Sequence, residues 1–179
     1  MIPTSGATVS EWAPEEQLWD VDHLIGSGAR LALLPDRIDP GTGIALYKEE
    51  VAGTLKLVKR QLADADFSMP STRRKYLSEY AIGELTTFVG LAIVTPLIYD
   101  VVKASVTAVT VRVRARLGLA PTDDVGREIV TLRVAILNAG SFEARGIEIA
   151  GPVEEVERAL LGMVENSGTE ELGGENDVE

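Results

Sequence analysis

The sequence contains no cysteine and a single histidine, His23. Without cysteine the chain cannot form disulfides, zinc ribbons, iron–sulfur clusters or a thiol nucleophile. One histidine also excludes a metal site built on two histidines of the same chain. Aromatic residues are scarce as well, at 5%, so the core must consist mainly of Val, Ile, Leu and Ala. We therefore expect no metal and no cofactor.

Basic residues are in the minority, with 17 Lys and Arg against 28 Asp and Glu and a formal net charge of -11. A nucleic-acid-binding surface must neutralise phosphates with Lys and Arg, so the composition argues against a nucleic-acid partner. Acidity also keeps a protein soluble, which accounts for the charge without a functional role. The N-terminus has no basic segment followed by an apolar run. No secretory signal is therefore visible, and we expect a cytoplasmic protein.

Motifs of catalytic sites are missing too. Asp20, Asp22 and His23 are metal-ligand residue types, but such neighbours rarely converge on one ion, so a solvated helix surface is the simpler interpretation. Gly26-Ser27-Gly28 lacks the spacing of a nucleophile elbow, and Gly41-Thr42-Gly43 lacks the Gly-Lys-Ser/Thr of a phosphate loop. An enzyme that works with carboxylates alone leaves no local spacing signature, so that alternative stays open.

Composition divides the chain into three parts. Residues 1–13 are rich in Pro, Ser, Gly and Thr and predict a flexible arm. Residues 166–179 are acidic, have few apolar side chains and predict a disordered tail. The apolar content is 45%, which is enough for 14–165 to form a single α+β domain.

Apolar periodicity predicts several elements of this domain. The run of Ala and Leu at 29–34, interrupted by Arg30, predicts a strand, and apolar residues at steps of three or four over 44–62 predict an amphipathic helix. Alternation over 130–136, a turn, and a second apolar run over 142–149 predict an antiparallel hairpin. A helix follows from Val153. Hairpin and helix together occupy 128–165.

The longest stretch of the sequence with few charges is Leu85–Val111, in which Asp100 and Lys103 are the charged residues. Proline inside a helix removes a hydrogen bond and bends or ends it, so Pro96 predicts two helical pieces, 72–95 and 96–117. Within 106–117, Val and Ala alternate with Thr and Arg, which is typical of a strand. The same residues also fit a helical stripe, and we favour the helix. The domain thus has an apolar helical centre over 72–117.

The same stretch raises the question of a membrane. A spanning helix needs about 20 apolar residues, and the uncharged run from Leu85 to Tyr99 is shorter than this. Asp100 and Lys103 would each cost about 2.5–3.5 kcal/mol near a bilayer centre. A hairpin over 77–117 that bends at Pro96 would instead bring two basic ends to one headgroup layer. We keep both interpretations: a buried core, or a membrane-associated helical hairpin.

The candidate contacts with a partner or a membrane are the apolar residues of this stretch and the basic clusters on either side of it. The acidic, cysteine-free chain is also compatible with a homo-oligomer. The candidate contact residues are Phe88, Leu91, Ile98, Arg73, Arg74, Lys75, Arg112, Arg114 and Arg116.

The order of elements from the central stretch onward resembles the effector-associated constant component domains of bacterial conflict systems. The residues that carry the resemblance are Leu85–Leu117, Thr131–Ile149 and Glu154–Leu161, an apolar helix with a basic end, a hairpin and a terminal helix. The tryptophan expected near the basic helix end is missing. The resemblance implies a non-enzymatic component that couples to separate effector proteins.

We therefore predict an α+β protein that is mostly helical, with a C-terminal antiparallel hairpin packed on helices and a central apolar helix pair. The function that fits is a non-catalytic interaction or adaptor component, with the apolar centre or the edge of the hairpin as its binding surface. The alternative is a membrane-associated protein that inserts 77–117.

Overall fold

The computed structural model describes residues 6–78 and 87–170. Two short 3-10 turns precede α1 and β6. The strands are β1 (Thr8–Trp12), β2 (Leu31–Leu33), β3 (Arg37–Ile38), β4 (Ala45–Lys48), β5 (Ala65–Phe67), β6 (Arg74–Leu77), β7 (Thr87–Val94), β8 (Ile129–Leu137) and β9 (Ala144–Pro152). The helices are α1 (Val21–Ser27), α2 (Glu50–Lys59), α3 (Tyr99–Leu117) and α4 (Val153–Glu170).

A six-stranded mixed sheet in the order β1-β9-β8-β7-β2-β5 forms the centre of the fold. β7 runs parallel to β8, and β2 runs parallel to β5. Parallel neighbours need a long crossover, which α3 supplies for the first pair and a segment containing α2 for the second. β8 and β9 form the C-terminal hairpin, and β7 and β1 occupy its two outer edges. The hairpin therefore has no free edge for a partner strand.

One face of this sheet carries the main core, because α2, α3 and α4 pack against it. Successive side chains of a strand point to opposite faces, so every second residue of the central strands enters this core. The α3 helix contacts both α2 and α4. The central-strand residues in this core include Val89, Leu91, Ile93, Leu132 and Val134.

A small three-stranded sheet, in the order β3-β4-β6, lies beside the large one. Tyr47 on β4 is fully buried, with its hydroxyl 3.1 Å from the Leu33 carbonyl oxygen and 3.0 Å from Ser68 Oγ. Ser68 in turn donates to the Leu18 carbonyl at 2.6 Å. Burial raises the pKa of the Tyr47 hydroxyl well above its ordinary value, because the phenolate would lose its hydration.

The opposite face of the large sheet is covered only in part by the chain between β1 and β2. After Trp12 this chain crosses β9 at Gly146. A Cβ there would collide with the Trp12 carbonyl oxygen and lie 2.7 Å from Pro14 Cδ. Beyond the crossing, Trp19 and Leu24 pack on alternate residues of the central strands, including Ala92. The close approach explains why this position is glycine.

The prediction of a mostly helical fold is wrong. The described structure is 37% helical and 30% strand, which makes it α+β with a substantial sheet. The predicted central helix pair is also wrong, because Thr87–Val94 is a strand of the large sheet. An apolar strand buried on both faces has the same continuous hydrophobicity as a buried helix, so periodicity does not separate the two.

The structure gives the stretch around Pro96 a different form from a helical hairpin. Pro96 lies in the connector between β7 and α3, and Tyr99–Leu117 is one helix, so the strand alternative for 106–117 is not adopted. Leu85 and Thr86 lie outside the described residues. Within 6–78 and 87–170, no helix combines the length and the hydropathy needed to cross a membrane.

The bounds of three other predicted segments also differ from those of the observed elements. The predicted arm, 1–13, contains strand β1, while residues 1–5 lie outside the described part. The helix expected over 44–62 begins only at Glu50, because Ala45–Lys48 pairs with β6. Of the predicted tail, 166–170 belongs to α4 and 171–179 is not described.

Candidate binding groove

A groove with a volume of about 410 Å³ opens on the partly covered face of the large sheet. The segments 12–18 and 34–40 line its sides, and Phe88 on β7 and Arg133 on β8 also line it. On this face, Trp19 and Leu24 of the crossing chain pack with Ala92, Ala135 and Leu137, whereas Phe88 and Arg133 stay partly exposed. Next to Phe88 and Arg133, the face is built from Thr131 and Glu148, which are partly exposed.

Arg133 is the central side chain of the groove. Its guanidinium carbon lies 5.1 Å from the centre of the Phe88 ring and 5.7 Å from that of Trp12. Such distances give attractive cation–π contacts. Arg133 Nε donates to Glu148 Oε2 at 2.7 Å, and 40% of the Arg133 side chain is exposed. The stack therefore holds a guanidinium in place at the surface.

Arg37 brings a second guanidinium to the same groove, from strand β3. Its side chain is exposed, and no described residue forms a hydrogen bond or an ion pair with it. Arg37 is therefore available for contact from solvent.

Asp36 forms part of the groove wall and also belongs to a buried group of four charges. Its Oδ1 lies 3.8 Å from Lys48 Nζ and 3.6 Å from Arg112 Nη2, and Arg112 Nε lies 3.9 Å from Glu50 Oε1. Asp36 Oδ2 accepts the backbone N–H of Lys48 at 3.0 Å. We call Asp36, Lys48, Glu50 and Arg112 the charge quartet.

The charge quartet connects the groove wall to the helical layer. The Arg112 side chain is 4% exposed and comes from α3, whereas Lys48 and Glu50 come from β4 and the start of α2. Glu50 Oε2 is buried without a hydrogen-bond partner among the described residues. Two carboxylates opposite two cations make the group electrically balanced, so each ion compensates part of the cost of burying another.

The predicted contact residues of the apolar stretch have different positions. Phe88 lines the groove and is partly exposed. Leu91, by contrast, is fully buried in the main core, and Ile98 packs against that core just before α3. Of these three side chains, Phe88 is the one in the groove.

The predicted basic cluster before the stretch is dispersed. Arg73 donates to Asp20 at 3.1 Å, and the guanidinium of Arg74 lies 4.0 Å from the centre of the Phe67 ring. Lys75 is exposed on β6. These three residues thus have three different surroundings.

The basic cluster after the stretch is dispersed in the same way. Arg112 is buried in the charge quartet, and Arg114 Nε donates to the Asp123 carbonyl at 3.0 Å. Arg116 is partly buried near the end of α3. A helix places consecutive side chains about 100° apart, so alternate arginines point in different directions.

The Asp20-Asp22-His23 run has a local structural role. Asp20 is the N-cap of α1 and accepts the backbone N–H of His23 at 2.8 Å. His23 Nε2 lies 3.4 Å from Asp66 Oδ2. Among the residues that the structure describes, no group of three or more histidines and carboxylates is placed to hold a metal ion.

Sequence reasoning missed four of the important groove residues, Trp12, Asp36, Arg37 and Arg133. Trp12 lies in a segment expected to be a flexible arm, and Asp36 and Arg37 follow Pro35, directly after the strand expected over 29–34. One signal was available for Arg133, since it is the charged residue in a strand whose other residues are apolar apart from Thr131. The pairing that brings β1 beside β9 has no local signature in the sequence.

No protein-family model matches the chain, and no curated protein and no solved structure matches it either.

Proposed function

We propose that this protein is a non-catalytic interaction component that binds a segment of a partner protein in the groove. The observation that carries the proposal is the partly exposed stack of Trp12, Arg133 and Phe88, which lines the groove on the partly covered face of the large sheet. The stack is held in place before binding, so little side-chain entropy is lost when a partner arrives.

The composition of the groove favours a protein partner. Trp and Arg are enriched among the residues that dominate binding energy in protein–protein interfaces, and aromatic side chains in general are enriched at their centres. The net charge of -11 disfavours nucleic acid, whose phosphates need a basic surface. A partner segment would also shield Phe88 and Trp12 from water, which gives a hydrophobic contribution.

The charge quartet bears on the alternative of a carboxylate-based enzyme. Asp36 and Glu50 do converge, but they converge on Arg112, and Glu50 does not line the groove. Catalytic carboxylate pairs face the substrate with the protonation states that their reaction requires. Two carboxylates that are both placed against buried cations fit a structural role better.

The pattern resemblance over 85–161 to effector-associated constant components adds a biological setting to the proposal. Of the elements that carry it, the structure has the helix over Tyr99–Leu117, the hairpin and the terminal helix, but Thr87–Val94 is a strand. In that setting the partner is a separate effector protein of a bacterial conflict system, and both proteins meet in the cytoplasm.

A photo-crosslinking experiment tests the proposed function. Benzoylphenylalanine replaces Phe88 in the groove or, as a control, Lys59, which is exposed on α2. In the cells that naturally make the protein, we expect a discrete crosslinked partner from position 88 and none from position 59. Adding Arg133→Ala should abolish the product. A product that forms equally from both positions, or that survives Arg133→Ala, would contradict binding in the groove.

A further inference from the structure

We infer that the groove selects partner segments in which an acidic side chain lies beside an apolar one. The inference rests on the proposed function, because it names the chemistry of the partner at the same site.

The groove contains hydrogen-bond donors that the described part of the protein does not use. Nε of Arg133 donates its hydrogen bond to Glu148. The two terminal NH₂ groups of this guanidinium have no hydrogen-bond partner in the described part of the chain. The guanidinium of Arg37 has no hydrogen bond there at all. A guanidinium offers parallel N–H bonds that match the two oxygens of a carboxylate. The groove therefore has donors in need of an acceptor.

The hydrogen-bond acceptors of the groove, by contrast, are mostly occupied by cations of the same chain. Asp36 is already engaged by Lys48 and Arg112, and Glu148 is engaged by Arg133. Glu15 lies at the groove as an exposed carboxylate without an ion pair to a described residue. A basic partner segment would thus meet carboxylates that are mostly occupied, whereas an acidic one would meet free donors. The overall charge of -11 opposes an acidic segment only weakly, because salt screens exposed charges beyond about 8 Å.

The groove also has an apolar lining next to its arginines. Four apolar side chains line the same groove as the two arginines: Trp12, Leu18, Ile38 and Phe88. Cation–π contacts keep the Arg133 guanidinium beside two of these rings. A carboxylate on Arg133 would consequently place its neighbouring residue against an apolar surface, which is why we expect the two residue classes together.

Peptide selection tests this inference on the intact protein. A phage library of random dodecapeptides is selected on the wild-type chain, and the selected clones are then tested for binding to the Arg37→Gln/Arg133→Gln variant. We expect Asp or Glu next to an aromatic or aliphatic residue in the selected peptides. Replacing that acidic residue by its amide in a synthetic peptide should raise Kd about tenfold or more. Arg158→Gln is the matched control, because Arg158 is exposed on α4 and should leave Kd unchanged.

The outcomes separate the inference from the proposed function. Selected peptides that depend on Trp12 but are neutral or basic would overturn the preference for acidic segments and leave groove binding intact. Peptides that ignore Trp12→Ala, or a selection without enrichment, would contradict groove binding and the inference with it. Near-ultraviolet circular dichroism must show that the glutamine variants keep the wild-type fold.

Discussion

Arg112 Nη2 lies 3.6 Å from Asp36 Oδ1, and this contact joins the C-terminal half of a core helix to the wall of a surface groove. Both side chains are nearly excluded from solvent, at 4% and 11% exposure. The pair therefore belongs to the interior, although Asp36 also lines the groove.

The first prediction concerns this pair. Arg112→Met should lower the free energy of unfolding by about 3–5 kcal/mol, because it leaves Asp36 and Glu50 buried with less compensating charge. Urea unfolding at neutral pH measures the loss. Arg158→Met is the control, since its exposed ion pairs on α4 are worth less than about 1 kcal/mol. Equal small losses in both variants would show that the charge quartet is energetically unimportant.

The second prediction concerns the chain crossing at Gly146. Gly146→Ala should destabilise the protein by about 1–3 kcal/mol, because the new methyl group collides with backbone and ring atoms of Trp12. The displaced indole should also change the tryptophan fluorescence. Gly53→Ala is a matched control in α2, where a Cβ meets nothing within 4 Å. There we expect a gain of about 1 kcal/mol. A neutral Gly146→Ala variant with unchanged fluorescence would mean that β1 does not pack on β9 in this way.

The third prediction concerns pH. The pKa of Tyr47 is raised in the folded protein by burial, while in the unfolded chain it should be near 10. Below about pH 10 both states are protonated. Above it the unfolded state loses a proton that the folded state keeps, so stability should fall as the pH rises. This contribution has a limiting slope of about 1.4 kcal/mol per pH unit.

The variant Tyr47→Phe isolates that contribution. It should be less stable than the wild type at pH 8, because it loses the hydrogen bonds to Leu33 and Ser68. Its stability should nevertheless decline less steeply between pH 10 and 11. Urea denaturation at several pH values gives both slopes, and parallel slopes would show that the Tyr47 hydroxyl is hydrated in the folded state.

The C-terminal half was largely predictable from the sequence, and the centre was not. Alternation along 130–136 has a single explanation, a strand with one buried face, and β8 follows it. Val89, Leu91 and Ile93 belong to a strand that is apolar on both sides, because helices cover one face and the crossing chain covers part of the other. That double burial is a property of the assembled fold, so the local pattern resembles that of a core helix.

The candidate groove was less predictable still. Phe88 was named from its hydrophobicity alone, and its position beside Arg133 results from the parallel register of β7 and β8. Arg112 was expected at an exposed helix end, yet Asp36 and Glu50 hold it in the interior. Both outcomes depend on contacts between residues more than 40 positions apart, which no local spacing encodes.

The pairing of β1 with β9 has a consequence for the order of folding. Thr8 pairs with Ala150 and Trp12 with Gly146, so the chain must bring together residues more than 130 positions apart to complete this edge of the sheet. Contacts of such long range form slowly, because the entropy of closing the intervening loop is lost before the contact forms. During synthesis β1 leaves the ribosome before β9 and must wait for its partner. We expect this edge of the sheet to form only after β9 has been synthesised.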